Sequence, residues 1–200
     1  MSSNRPHSPQ VGCAILAAGA GTRFSARTSK LAYPIAGRPL LQHAIDAACA
    51  SPAIACTLVL GARAEAVAAC VDARRCATVI NPDWAQGIAA SIRCAIEAQG
   101  ESDACILMLG DQPNVTAADL AALIAAHEDH RGSIVALRRG RLWGAPVLFP
   151  RRDYASVRGR SGDRGAKEYA NSNARRLVFV EAARPDAFID LDTPRDAKRL

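Results

Sequence analysis

Apolar, β-branched runs alternate with alanine-rich runs of helical spacing through the first two thirds of the chain. Val11–Ala18 (VGCAILAA) is apolar or small throughout, which reads as a strand buried on both faces. Pro39–Ala50 has its apolar residues at helical spacing, and Pro39 suits a first turn. Ala55–Leu60 predicts a second strand, Ala64–Arg75 a second helix, and Ala77–Ile80 a short third strand. Ala85–Gln99 predicts a helix stopped at Gly100, and Ala104–Leu109 (ACILML) a fourth strand. Thr116 reads as an N-cap, with Asp119 three residues on, for a helix reaching about Glu128.

The repeated strand–helix alternation predicts βαβ units, a mostly parallel sheet and three layers. After Gly132 the pattern changes. Ser133–Arg138, Pro146–Phe149 and Leu177–Val180 read as strands, and Asp163–Asn173 as a helix. Asp192 or Thr193 reads as the cap of a last short helix. The first ten residues, MSSNRPHSPQ, read as a disordered tail. Residues 11–200 read as one domain.

Composition narrows this picture. The chain has 200 residues, half of them hydrophobic and only 4% aromatic. That is enough to bury a core and too apolar for a disordered chain. The 42 alanines favour close-packed helices over a β-sandwich. No apolar run approaches the roughly 18 residues that span a bilayer, and the N-terminus has no signal-peptide core. The seven cysteines are odd in number and form no CxxC pair. They read as small hydrophobes of a reducing cytoplasm, with no zinc-type spacing. The net charge of +6 equals that of residues 138–164 alone, which hold eight arginines against Asp153 and Asp163. This segment predicts a basic field for an anionic small molecule. Nucleic acid is disfavoured, because the chain, 4% aromatic, offers few residues for base stacking.

The first strand runs into Leu16-Ala17-Ala18-Gly19-Ala20-Gly21-Thr22-Arg23-Phe24. Glycines after a parallel strand let backbone amides ring a phosphate. Arg23 adds a guanidinium fork and Lys30 a point charge. The dinucleotide fingerprint GxGxxG is excluded, since Phe24 stands where its last glycine belongs. A P-loop is excluded too, since no GK[ST] opens a helix. The fourth strand ends at Gly110-Asp111-Gln112-Pro113. A carboxylate there, across from a phosphate loop, suits Mg²⁺.

LAAGAGTRF, Lys30-Leu31 and GRPLL together resemble the signature of the MobA-like nucleotidyltransferases. The resemblance implies a Rossmann-like three-layer α/β nucleotidyltransferase fold with a mostly parallel sheet. It implies an NTP-binding half over about 11–131 and an acceptor-binding half over about 132–200. In this family the loop, its arginine and the lysine hold the NTP phosphates, which points to Leu16, Ala17, Ala18, Gly19, Gly21, Arg23 and Lys30. GDQP is similar to the molybdopterin cytidylyltransferase subgroup, whose aspartate binds Mg²⁺; Ala18 also favours CTP over GTP. Asn81-Pro-Asp-Trp84-Ala-Gln-Gly87-Ile-Ala-Ala-Ser91 resembles that subgroup's nucleotide-side segment, adding Asn81, Gly87 and Ser91.

On the acceptor side, Gly144-Ala145-Pro146-Val-Leu-Phe149 resembles a GHPVLF motif, with Ala145 where histidine is usual. Gly162-Asp163-Arg-Gly165-Ala166 resembles a GDxGA turn. These matches and GDQP nominate Gln112, Gly144, Pro146, Gly162 and Asp163 for the acceptor. The DLDTP tail offers Asp192, or Asp190, as a second metal ligand beside Asp111. The resemblance thus implies a Mg²⁺-dependent transfer of CMP from CTP to the phosphate of molybdenum cofactor, with Arg23, Lys30 and Asp111 as the catalytic set. An apo-molybdoenzyme would be the recipient. The gap from Arg23 to Lys30 matches sugar-phosphate members better, so an NTP:sugar-phosphate transferase is one alternative. A molybdenum cofactor carrier without turnover is the other, since Ala145 lacks the acceptor-motif histidine.

Overall fold

The computed structural model describes residues 10–21, 24, 29–53, 55–162, 165–189 and 191. In chain order the elements are β1 (Val11–Ala17), β2 (Pro34–Ile35), β3 (Arg38–Pro39), α1 (Leu40–Ala50), β4 (Ala55–Leu60), α2 (Ala64–Ala68), β5 (Ala77–Ile80) and α3 (Ile88–Ala98). Then come β6 (Ala104–Leu109), α4 (Ala117–Asp129), β7 (Ile134–Arg139), β8 (Leu142–Pro150), α5 (Tyr154–Arg158), α6 (Ala166–Ser172) and β9 (Leu177–Glu181).

Seven strands form one sheet in the order β5-β4-β1-β6-β8-β7-β9. β8 alone among them runs against the rest, pairing antiparallel with β6 and β7. β1 lies between β4 and β6, parallel to both. It is buried on both faces because helices cover both. Cys13, Ile15 and Ala17 pack with α1, α2 and α4. Ala14 packs on the other side with α3, α5 and α6. This is the predicted three-layer, mostly parallel architecture. Leu41, Leu58, Ile106, Leu120 and Leu123 are fully enclosed, each burial contributing about 1.5–3 kcal/mol.

The expected capping box opens α4: Thr116 Oγ1 accepts from the Asp119 amide at 3.3 Å, and Asp119 Oδ2 accepts from the Thr116 amide at 2.8 Å. Other boundaries differ from the sequence reading. α2 stops at Ala68, not Arg75, because Val67 is its only buried residue and Asp72 instead closes a turn with Arg74. α3 starts at Ile88, not Ala85, because Gly87 takes φ +99°. β8 begins at Leu142, four residues before the expected Pro146. The β2–β3 hairpin and α5 had no predicted counterpart.

Residues 1–9 of the expected tail lie outside the described residues. Gln10 is tied in, its amide donating to Asp103 Oδ2 at 2.9 Å. Among the cysteines, Cys13 and Cys105 are buried as expected, but Cys70 is exposed. Among the described residues, no helix is long and apolar enough to cross a membrane.

Since β1, β4 and β6 run one way, their carboxyl ends share one sheet edge. β8 runs the other way, so its first residues project beyond the end of β6 at that same edge.

Candidate active site

The glycine loop leaves β1 at this edge. Gly21 takes φ +60°, and a Cβ there would come 3.1 Å from Lys30 Cγ. The loop therefore folds over the lysine only where its residue lacks a side chain. Lys30 opens a short 3₁₀ turn, in which Ser29 Oγ accepts from the Leu31 amide at 3.3 Å. Leu31 is 4% exposed and anchors that turn in the core.

Across the cleft, Gly110 passes so close to Leu41 and Ala17 that any side chain would collide. Its amide donates to the Leu16 carbonyl at 3.0 Å, fixing the turn that presents Asp111. Lys30 Nζ and Asp111 Oδ2 are 2.5 Å apart, both side chains largely shielded. The expected phosphate-binding cation and the expected metal-binding carboxylate thus meet at one point.

A cavity of about 370 Å³ opens over this pair. Ala18, Gly19 and Gly21 line one side, and Trp84, Gly87, Ile88 and Ser91 the other. Leu16 and Ala17 also reach it. The start of α3 faces this cavity, and no side chain caps it. The positive end of a helix dipole is a ready site for phosphate. Asn81 is not in the wall. It is 1% exposed and donates from Nδ2 to Ser91 Oγ at 3.0 Å, so it positions Ser91 from behind.

A second cavity of about 380 Å³ shares Leu16, Ile88 and Leu109 with the first. Gln112, Trp143, Gly144, Lys167 and Phe188 line it. Lys167 Nζ donates to the Trp143 carbonyl at 2.6 Å and sits 4.9 Å from the indole ring centre. Trp143 in turn meets Phe179 edge-on at 5.6 Å. A flat anionic ligand finds here an aromatic wall beside a cation. Pro146 is buried and lines neither cavity. Gly162 also stands outside both, but its carbonyl accepts from the Ala89 amide at 3.1 Å, joining its turn to the start of α3.

Arg23, Asp163, Asp190 and Asp192 lie outside the described residues. Leu191, between the two tail aspartates, donates from its amide to the Asp111 carbonyl at 3.4 Å. The basic segment is not one field. Arg138 pairs with Glu181 at 2.8 Å, and Arg152 donates to the Gly132 carbonyl. Arg151 donates to the Ser102 carbonyl at 2.8 Å, at the end of β6 away from Asp111. These guanidiniums bind the protein's own acceptors, and the cation at the second cavity is Lys167. Trp84, Lys167 and Phe188 were missed as site residues. Trp84 and Phe188 carried a signal, as part of the motif around Asn81 and Gly87 and of the tail segment with Asp190 and Asp192; Lys167 had none.

Comparison with known proteins fits this geometry. Residues 13–177 match the sequence family described as the MobA-like NTP transferase domain. Nicotine blue oxidoreductase of Paenarthrobacter nicotinovorans is 28% identical over 202 residues, covering 96% of this chain and 97% of that protein. The bifunctional protein GlmU of an Exiguobacterium strain is 32% identical over 123 residues, 62% of this chain. That match spans about a quarter of GlmU's length (27%). Among solved structures, the manganese complex of Rv0371c from Mycobacterium tuberculosis superposes with a TM-score of 0.78 at 28% identity, covering 96% of this chain and 97% of that one.

Proposed function

This chain belongs to the MobA-like NTP transferase family, and we propose that it transfers CMP from CTP to the terminal phosphate of molybdenum cofactor, releasing pyrophosphate. One observation carries this reading. The Lys30–Asp111 pair stands by the glycine loop, where a cavity of about 370 Å³ adjoins an aromatic one. An NTP in the first and a flat phosphorylated acceptor in the second would bring their phosphates together.

In this reading an acceptor phosphate oxygen attacks the α-phosphorus of CTP, and the bond from that phosphorus to the bridging oxygen breaks. No protein nucleophile is needed, so the chain positions groups and offsets charge. Lys30, the amides of residues 19–21 and Arg23 stabilise the leaving pyrophosphate. The start of α3 adds a favourable dipole. Ser91, held by Asn81, borders the nucleotide. Trp143, Lys167, Gln112 and Gly144 receive the acceptor. Asp111 is a hard oxygen donor at the cleft floor, the kind Mg²⁺ takes when substrate phosphates complete its shell. Asp192 or Asp190 would be the second carboxylate. Bound there, Mg²⁺ would neutralise phosphate charge. The manganese complex of the mycobacterial relative supports a divalent ion. GDQP and Ala18 support CTP over GTP.

The test is pyrophosphate release with Mg²⁺, for CTP and GTP separately, with molybdenum cofactor and with a panel of sugar phosphates. Release with CTP and molybdenum cofactor alone is expected. Release only with a sugar phosphate would keep the nucleotide site and replace the acceptor. Tight cofactor binding without release would make the protein a carrier.

The full-length match to a protein named as an oxidoreductase favours a second reading, in which the two cavities hold a redox nucleotide and a flat dye. Phe24, standing where GxGxxG needs glycine, opposes it. Nucleotide-dependent dye reduction without pyrophosphate release would establish it.

A further inference from the structure

We propose that Cys49, Cys56 and Cys76 bind a thiophilic d¹⁰ metal ion, Zn²⁺ or Cu⁺, at the end of the sheet opposite the nucleotide cleft. The three thiols come from the last turn of α1, the start of β4 and the residue before β5. The parallel register of β4 on β5 places Thr57 beside Ala77, so Cys56 and Cys76 are neighbours one step earlier. All three Sγ atoms lie within 4.8 Å of one another, and Cys49 and Cys76 are 3.6 Å apart. At a Zn–S distance of about 2.3 Å, two thiolates on one tetrahedral ion stand about 3.8 Å apart. The cluster therefore needs only small side-chain adjustments to close on an ion.

The surroundings select a soft ion. The three cysteines, with Val71 and Ala73, are partly buried against the same apolar core cluster. The two carboxylates lining the cavity at Cys49 have partners of their own: Asp72 pairs with Arg74 at 2.7 Å, and Asp46 accepts from Gln42 at 2.9 Å and pairs with Arg38. What remains is sulfur, which favours Cu⁺ and Zn²⁺ over Mg²⁺ or Ca²⁺. A cavity of about 450 Å³ reaches Cys49, giving an ion an entry path and Zn²⁺ room for a water as fourth ligand. Arg75, which donates to the Cys49 carbonyl at 2.6 Å, supplies a positive charge against a trithiolate. Within the cluster the hydrogen bonds from Cys56 and Cys49 lower the Cys76 thiol, while burial and those same bonds raise the other two. Binding would displace the remaining thiol protons to solvent. Such an ion would tie α1 to β4 and β5 and leave the cleft untouched.

The test uses the full chain, reduced with a phosphine, freed of metal and kept under Mg²⁺ to fill carboxylate sites. Zn²⁺ and Cu⁺ are titrated separately against a chromophoric chelator. One tight equivalent of either ion is expected, with proton release and protection of Cys76 from alkylation. Cys49→Ser and Cys76→Ser should each weaken binding at least ~100-fold, the upper range seen when even an outer-shell partner is lost. Cys70→Ser should leave it unchanged. Absence of a tight equivalent in the wild type would overturn the proposal, as would equal binding by both serine variants. Should a variant misfold by circular dichroism, metal protection of Cys76 in the wild type decides. Alkylation at an unaltered rate in the presence of metal would then reject the site.

Discussion

Lys30 and Asp111, 81 positions apart in the chain, are joined by a 2.5 Å ion pair at the floor of the nucleotide cleft. The side chains keep 15% and 20% of their exposure, so water still reaches both. In a pair shielded to this degree the cost of desolvation offsets much of the attraction, so the net contribution is small. Triphosphate can therefore compete for the lysine, and a divalent ion for the carboxylate. The pair holds both groups at the point where charge will be handled.

Asp111→Ala should fold normally and lose at least ~10²-fold in pyrophosphate release, the scale of removing one key electrostatic stabiliser. Thermal denaturation checks the fold. Near-wild-type turnover would take Asp111 out of the reaction.

Lys30→Ala should weaken CTP binding, measured by calorimetry without acceptor. An unchanged affinity would argue against the glycine loop as the phosphate site.

Trp143→Ala and Lys167→Ala should raise KM for the acceptor and leave CTP affinity unaltered, because both residues line the second cavity and neither lines the first. A matching loss of CTP affinity would show that the two cavities do not divide the substrates.

Away from the site, Arg176 grips Asp153 through two contacts, at 2.6 and 3.0 Å, and Tyr169 donates to the same carboxylate at 2.9 Å. Arg176→Met would leave Asp153, 3% exposed, with its charge uncompensated. A loss of about 3 kcal/mol is expected in urea denaturation, at the low end for breaking a buried pair. A change below about 0.5 kcal/mol would mean that water takes the guanidinium's place.

His127 is 4% exposed, and its Nδ1 has no hydrogen-bond partner among the described residues. Burial, and then the Arg131 charge, push its pKa below the ordinary 6.5. The unfolded chain takes up a proton near 6.5 that the folded chain refuses. Stability from this group is therefore complete above about pH 6.5 and falls as pH drops below it. His127→Leu should flatten the melting temperature over that acid range. An equally steep decline in the variant would assign it to other groups.

Strands β4, β5 and β6 have the predicted limits; in β4 and β6 a largely buried strand writes a continuous apolar run, and the exposed edge strand β5 keeps a short β-branched one. The Thr116 cap was legible for a similar reason: it acts over one turn of chain. α2 was overextended, because Cys70-Val71 continues the apolar spacing while the native chain turns at Asp72. Within the site, Gly19, Gly21, Lys30, Gly87, Ser91 and Asp111, all nominated with the family resemblance, line the first cavity. Asn81 was nominated by the same resemblance, but its side chain turns inward to Ser91.

Hydrophobic period, glycine turns and caps are written within a few residues, so the sequence alone determined the layers, the glycine loop and the strand-end carboxylate. Tertiary structure decided which distant groups meet. Lys30 reaches Asp111 because β1 and β6 are parallel neighbours, so their exits share an edge. Trp143 joins that edge because β8 runs backwards beside β6. Cys49, Cys56 and Cys76 converge through the β4–β5 register and the end of α1, and Lys167 reaches Trp143 through the packing of α6 on β8. Each meeting depends on strand direction, register and layer packing, which no local spacing encodes.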